Sequence, residues 1–305
     1  MNAFACALAL ASLAYARQRS SYMDNMLMAL SQKQYNGASF SPISMEVDGK
    51  PVTYYVAAGF KTAGGQKYHV PAEGRGYIAT SDKLDLKDPE YFKPNLLNGS
   101  IEWDVDLSGH ECGCIAAFYL TSMPGRDQNG DLWMQTDGWG YCDANGVAGN
   151  LCPEFDMMEA NKFSFATTPH ACEAPDERGF YRACDGDGHC NMNAYEKLDW
   201  NGYGPGETYT INTDLPFHVK VSFDTDSVGT FDKFTTTMTQ NGRQQSMTAF
   251  DCDWSRDLTE DLRNGMGLVI SNWSGNASWL WHDRCSGTCT MPELTISNIK
   301  VKTGK

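Results

Sequence analysis

Positive charge is scarce in this chain. Its 305 residues carry 24 Lys and Arg against 38 Asp and Glu, a formal net charge of −14. Nucleic acids and anionic membrane surfaces call for a basic face, so both are disfavoured as partners. The same charge disfavours a strongly anionic polysaccharide and suits a neutral or cationic glycan. Long hydrophobic runs are missing as well. The one apolar run, Ala3 to Ala14, is too short to span a bilayer. The small-x-small triplet Ala14-Tyr15-Ala16 and then Arg17 follow it, so residues 1–16 read as a secretory signal, although no Lys or Arg precedes the run. The chain also lacks an internal repeat and a linker rich in Pro, Ser or Thr. That argues against an appended module, and residues 17–305 read as a single domain, large enough to bury one core.

Export agrees with the cysteines. Of 11, Cys6 falls in the signal, which leaves an even set at 112, 114, 142, 152, 172, 184, 190, 252, 285 and 289. In an exported chain such a set implies disulfides. Cys112-Gly-Cys114 and Cys285/Cys289 also have spacings that could hold a metal, but the disulfide reading is preferred, and no metal or cofactor is expected. Asn98, Asn272 and Asn276 each begin an Asn-x-Ser sequon, a candidate glycosylation site.

A short helix is expected within 22–34. From about Phe40 onward the pattern changes to short β segments broken by Gly, Pro, Asn and Asp. Expected strands include Val52–Phe60, Ile101–Leu107, Ala116–Thr121, Phe217–Phe223, Thr235–Thr239, Gly267–Ser271 and Leu294–Val301. Ile101-Glu-Trp103-Asp-Val105-Asp-Leu107 alternates cleanly, as a half-buried strand does. Many short strands with few helical stretches predict an all-β domain, a curved antiparallel sandwich or jelly roll. Ala171 to Tyr209, rich in Gly, Asp and Cys, reads as a long disulfide-tied loop. Cys184-Asp-Gly-Asp-Gly-His-Cys190 tempts a calcium reading, but the position that an EF-hand loop gives to Gly is Cys190.

The segment Glu154-Phe155-Asp156-Met157-Met158-Glu159 carries the chemistry. Residues two apart on a strand share a face, so Glu154 and Asp156 point the same way. Glu159 lies five residues from Glu154, which on a regular strand puts it on the other side. One extra residue in a β-bulge cancels that parity error. A bulged strand that holds carboxyls side by side suits a retaining glycosidase, whose nucleophile and general acid/base lie roughly 5–5.5 Å apart. The competing reading of the bare spacing is a solvated acidic turn.

Flanking segments resemble glycoside hydrolase family 7, the retaining cellulases. The resemblance runs through Leu97–Cys112, Phe118-Tyr119, Gly140-Tyr141-Cys142-Asp143, Pro153–Asn161, Thr168-Pro169-His170-Ala171-Cys172, Tyr203–Gly206, Phe217–Asp224, Gly265–Asp283 and Thr295–Lys300. It covers roughly residues 75–301. It implies a curved, concanavalin-like sandwich with the sugar along its concave face. It implies Glu154 as nucleophile, Glu159 as general acid and then base, and Asp156 between them. His170, Tyr119, Tyr141, Asp143, Trp273 and Trp281 match substrate-binding positions. The implied disulfides are Cys142–Cys152, Cys172–Cys184 and Cys190–Cys252, with Cys112 and Cys114 taking Cys285 and Cys289 in either order. The implied activity is that of a secreted, monomeric endo-β-1,4-glucanase acting on a β-linked glucan.

Departures bear on the groove rather than the triad. Only 144–151 separates Asp143 from Cys152, where the family has a longer excursion, and that favours an open cleft. Met157-Met158 stands where the family has Ile-Trp. Asn145 stands where a sugar-binding glutamine is common. Product-site arginines are unplaced, with Arg178, Arg182 and Arg284 as candidates. Two other readings remain: a family 16 enzyme acting on β-1,3 or mixed-linkage glucan, and a non-catalytic carbohydrate-binding or cell-wall protein.

Overall fold

A computed structural model describes residues 40–57, 61–63, 66–83, 89–133, 140–275, 278–281, 285 and 287–304. The expected signal (1–16), the expected helix within 22–34, and Asn276 and Arg284 lie outside these residues. The described strands are β1 (Phe40–Val47), β2 (Lys50–Ala57), β3 (Lys61–Ala63), β4 (Lys67–Val70), β5 (Gly74–Ala79), β6 (Gly99–Asp106), β7 (Cys114–Thr121), β8 (Glu154–Ala160) and β9 (Phe165–His170). They continue with β10 (Met192–Asn193), β11 (Tyr203–Gly204), β12 (Ile211–Asn212), β13 (Phe217–Thr225), β14 (Phe231–Gln240), β15 (Arg243–Phe250), β16 (Gly267–Ser274) and β17 (Leu294–Lys302). Four short helices are described: α1 (Ala194–Lys197), α2 (Asp253–Arg256), α3 (Thr259–Asn264) and α4 (Ser278–Trp281).

Alternation does what the sequence predicts. In β6, Ile101, Trp103 and Val105 are buried, while Glu102, Asp104 and Asp106 are half-exposed. In β13, Phe217, Val219, Val221 and Phe223 turn inward. β7 differs: all eight of its residues are buried, because it is covered on both faces. The sheet runs β10-β9-β8-β7-β16-β5-β2-β1-β17-β6-β13-β14-β15 and folds back on itself. Phe155 of β8 meets Phe223 of β13 at 5.0 Å and Phe234 of β14 at 5.2 Å between ring centroids. Trp103 of β6 meets Phe118 of β7 edge-on at 5.0 Å. These contacts cross the sandwich and define its core.

The sheet is mixed rather than purely antiparallel. β1 runs parallel to β17 through Glu46↔Lys300 and Val47↔Val301. The reason is topological: β1 forms a hairpin with β2, and its outer edge is left to close on the last strand. Gly265–Asp283, which resembles a pair of tryptophan-bearing strands, holds one strand among its described residues, β16 with Trp273, while Trp281 ends α4.

Five disulfides join Cys112–Cys285, Cys114–Cys289, Cys142–Cys152, Cys172–Cys184 and Cys190–Cys252. The first two tie the start of β7 to the segment before β17. The expectation of a glycan at Asn272 is corrected. Asn272 is fully buried, and its Nδ2, the atom a glycan would occupy, donates to the Val70 carbonyl at 3.2 Å and the Pro292 carbonyl at 2.8 Å. Asn98 is exposed, with its amide hydrogen-bonded to Thr225.

Candidate active site

The three carboxylates sit on β8, and the bulge is there. On one side of the strand, Tyr119 of β7 lies opposite Asp156 and Phe118 lies opposite Met158, so Met157 is the extra residue. On the other side, Asp156 pairs with Thr168 of β9 and Glu159 pairs with Ala166, with a register shift between them. Beyond the bulge Glu159 shares a face with Glu154 and Asp156. Phe155, Met157 and Met158 join the core on the opposite face. The Met157-Met158 departure from the family therefore concerns the core side of the strand, not the groove.

Glu154 and Asp156 are each 6% exposed, whereas Glu159 is more open. Burial holds all three carboxyls well above the usual carboxylate range, and Asp156 pushes Glu154 and Glu159 further up. Asp143 raises Glu154 and Asp156 as well. Two features oppose this. His170 lowers Glu154 and Glu159, and the Ala144 N–H donates to Glu154 Oε2 at 3.0 Å. The three titrations are linked, because a charge on one carboxyl disfavours a charge on its neighbours.

His170 is oriented from behind. Its Nδ1 lies 2.6 Å from the Asp185 carbonyl, which can only accept, so Nδ1 carries a proton. Its Nε2 lies 3.1 Å from Asp156 Oδ2. A hydrogen bond there needs a proton on one partner or the other. The Asp185 carboxylate in turn accepts from the backbone N–H of Gly188 and His189. Those bonds help to hold the acidic Cys184–Cys190 turn. Gly188 has φ +70°, and a Cβ there would lie 2.2 Å from Thr168 and 3.0 Å from the His170 ring. A side chain at 188 would displace the histidine.

The other candidate residues divide by position. Tyr119 and Tyr141 share a hydroxyl contact of 3.1 Å, and burial pushes both phenols up. Asp143 is buried; its Oδ1 accepts the Val147 N–H at 3.0 Å, and its Oδ2 has no hydrogen-bond partner among the described residues. Trp273 packs on Ile115, Ala166 and Leu280, and Ala166 is the residue opposite Glu159. Trp273 therefore stands at the Glu159 end of the group. The Trp281 side chain lies outside the described residues.

Arg75 was not among the sequence candidates. Its guanidinium lies 3.8 Å over the Tyr141 ring. Burial opposes its charge, but the neighbouring Tyr119, Tyr141 and Tyr77 outweigh that and raise its pKa. No motif marks it; only the pairing of β5 with β16 brings it to this face. Arg178 and Arg182 are instead loop residues, bonded to the Gln128 carbonyl and to Asp176.

Known proteins resemble this chain in sequence and in fold. The family model described as Glycosyl hydrolase family 7 matches residues 144–254, which include all three carboxylates and His170. The chain is 31% identical over 285 positions to Endoglucanase EG-1 of Hypocrea jecorina, covering 80% of this chain and 59% of that protein. It is 32% identical over 250 positions to the probable endo-beta-1,4-glucanase celB of Neosartorya fischeri, covering 68% and 59%. The chain thus spans about three fifths of the length of these relatives. A solved structure of endoglucanase I complexed with cellobiose superposes with a TM-score of 0.70 at 17% identity, covering 87% of this chain and 97% of that one, a likeness of fold. From a match that includes the carboxylate strand and the similarity along most of its length, the chain belongs to glycosyl hydrolase family 7.

Proposed function

We propose that this chain is a secreted, retaining endo-β-1,4-glucanase of cellulase type, with residues 17–305 as one catalytic domain that works as a monomer without a cofactor. The observation that carries the reading is the bulge at Met157, which turns Glu154, Asp156 and Glu159 to one face. Glu154 attacks the anomeric carbon while Glu159 gives its proton to the departing glycosidic oxygen. Water then enters, Glu159 takes its proton, and the resulting hydroxyl displaces Glu154 from the sugar. The Ala144 N–H favours an ionised Glu154, and the raised Glu159 carboxyl keeps its proton until it is needed. Tyr141, Tyr119, Asp143 and Trp273 hold the glucan, with His170 keeping Asp156 in place. The short 144–151 segment supports an open cleft and internal cleavage. The relatives named as endoglucanases support a β-1,4-glucan as substrate.

Hydrolysis of soluble β-1,4-glucan, β-1,3-glucan and mixed-linkage glucan tests this reading, with the first product anomer read by proton NMR. The expected result is preferred β-1,4 cleavage with retained configuration. Glu154→Gln is expected to lower kcat by more than about 10³-fold with the fold intact. An inverted product, or near-normal turnover in Glu154→Gln, overturns the assignment. Preference for β-1,3 linkages would replace the substrate, and binding without cleavage at any pH would leave a carbohydrate-binding protein.

A further inference from the structure

The extra residue in β8 leaves a backbone carbonyl outside the regular ladder, and the structure shows what satisfies it. Thr167 of β9 sits opposite the bulge, in the gap between the Asp156↔Thr168 and Glu159↔Ala166 pairs. Its Oγ1 donates to the Met157 carbonyl at 3.1 Å. The same Oγ1 lies 2.7 Å from Thr236 Oγ1 on β14, in the facing layer of the sandwich. Both threonines are fully buried. A hydroxyl has one proton, and a carbonyl can only accept. The Thr167 proton is therefore committed to Met157, and Thr236 must donate to Thr167. The result is a directed chain, Thr236 to Thr167 to Met157, through an otherwise apolar core.

We propose that Thr167 and Thr236 are positioning residues that set the bulge and thereby the placement of Glu159 relative to Glu154. The inference rests on the glycosidase reading above. Two buried hydroxyls are costly in a core unless each is bonded; here Thr167 bonds the bulge carbonyl and Thr236 bonds Thr167. Neither touches the cleft. Their leverage comes from the strand period of two: loss of the bulge would return Glu159 to the core face. A valine at either position keeps the branched shape and removes the proton.

The test compares wild type, Thr167→Val, Thr167→Ser and Thr236→Val. Thr167→Val should lower kcat on soluble β-1,4-glucan by ~10-fold or more with KM within ~2-fold, because a misplaced acid is paid at the reacting atoms. Its alkaline pH limb should move, since Glu159 changes surroundings. Thr167→Ser, which keeps the donor, should return both to near wild type, and Thr236→Val should fall between. Carboxyl titration by ¹³C NMR on labelled Glu and Asp reads the same displacement without turnover. If wild type fails to cleave β-glucan, the functional reading fails, and the NMR titration still decides the role of the threonines. Unchanged kcat, pH limbs and carboxyl titration in Thr167→Val, with only a lower Tm, would make the pair ordinary packing and overturn the proposal.

Discussion

At the scale of single residues, His170 shows how a neighbour tunes carboxylates without taking part in bond making. The Asp185 carbonyl accepts from Nδ1–H, so Nε2 faces Asp156 at 3.1 Å. His170 also offsets part of the upward push that burial exerts on Glu154 and Glu159. Removing it in His170→Ala should raise both carboxyls further. Both limbs of the kcat/KM profile against pH should then move to higher pH, with a fall in kcat. A profile that keeps its limbs and only loses height would show that His170 acts through packing alone. The Asp156–His170 contact was not legible in the sequence, because the two are fourteen residues apart and meet through the β8–β9 register.

At the scale of elements, β8 works because its two faces do different jobs. Phe155, Met157 and Met158 anchor it in the core, and the carboxylates face the other way. The Cys142–Cys152 bridge closes the short loop that carries Ala144, the donor to Glu154. Its removal in a Cys142→Ser, Cys152→Ser double variant should cost about 3 kcal/mol by the loop-entropy relation. Activity measured below the lowered Tm should still fall, because the Ala144 N–H is no longer held on Glu154. Full activity in that variant would show that the loop keeps its shape unaided. Once the flanking segments mark 154–160 as a strand, the bulge was readable from the five-residue spacing of Glu154 and Glu159, since a regular strand would put them on opposite faces. Its hydroxyl support was not, because Thr167 and Thr236 are 69 positions apart and belong to opposite layers.

At the scale of the molecule, a net charge of −14 and a buried carboxylate cluster make stability depend on pH. The carboxyls of Glu154, Asp156 and Glu159 are raised in the folded state. Groups of that sign contribute stability that is present below the unfolded value of about 4 and is lost as pH rises through the folded values. Asp185 has the other sign. Burial would raise it, but its hydrogen bonds from His189 lower it, so its contribution is present above about 4 and lost in acid. Asp156→Asn should therefore raise Tm near neutral pH and gain little near pH 4, measured by calorimetry across that range. A gain independent of pH would point to packing instead of charge.

By itself the sequence determined the local matters: which residues alternate into strands, that ten cysteines imply bridges, and that an E-x-D-x-x-E strand needs a bulge to bring its carboxyls together. Each follows from spacing along the chain, where the strand period acts directly. Tertiary structure alone decided the long-range ones. It paired Cys112 with Cys285 and Cys114 with Cys289, sealed Asn272 inside, and laid β1 parallel to β17. It also brought Arg75 over Tyr141 and set the two threonines behind the bulge. Those outcomes depend on which strands become neighbours and which faces meet across the core, a choice made by burial of the whole apolar surface and not by any local run of residues.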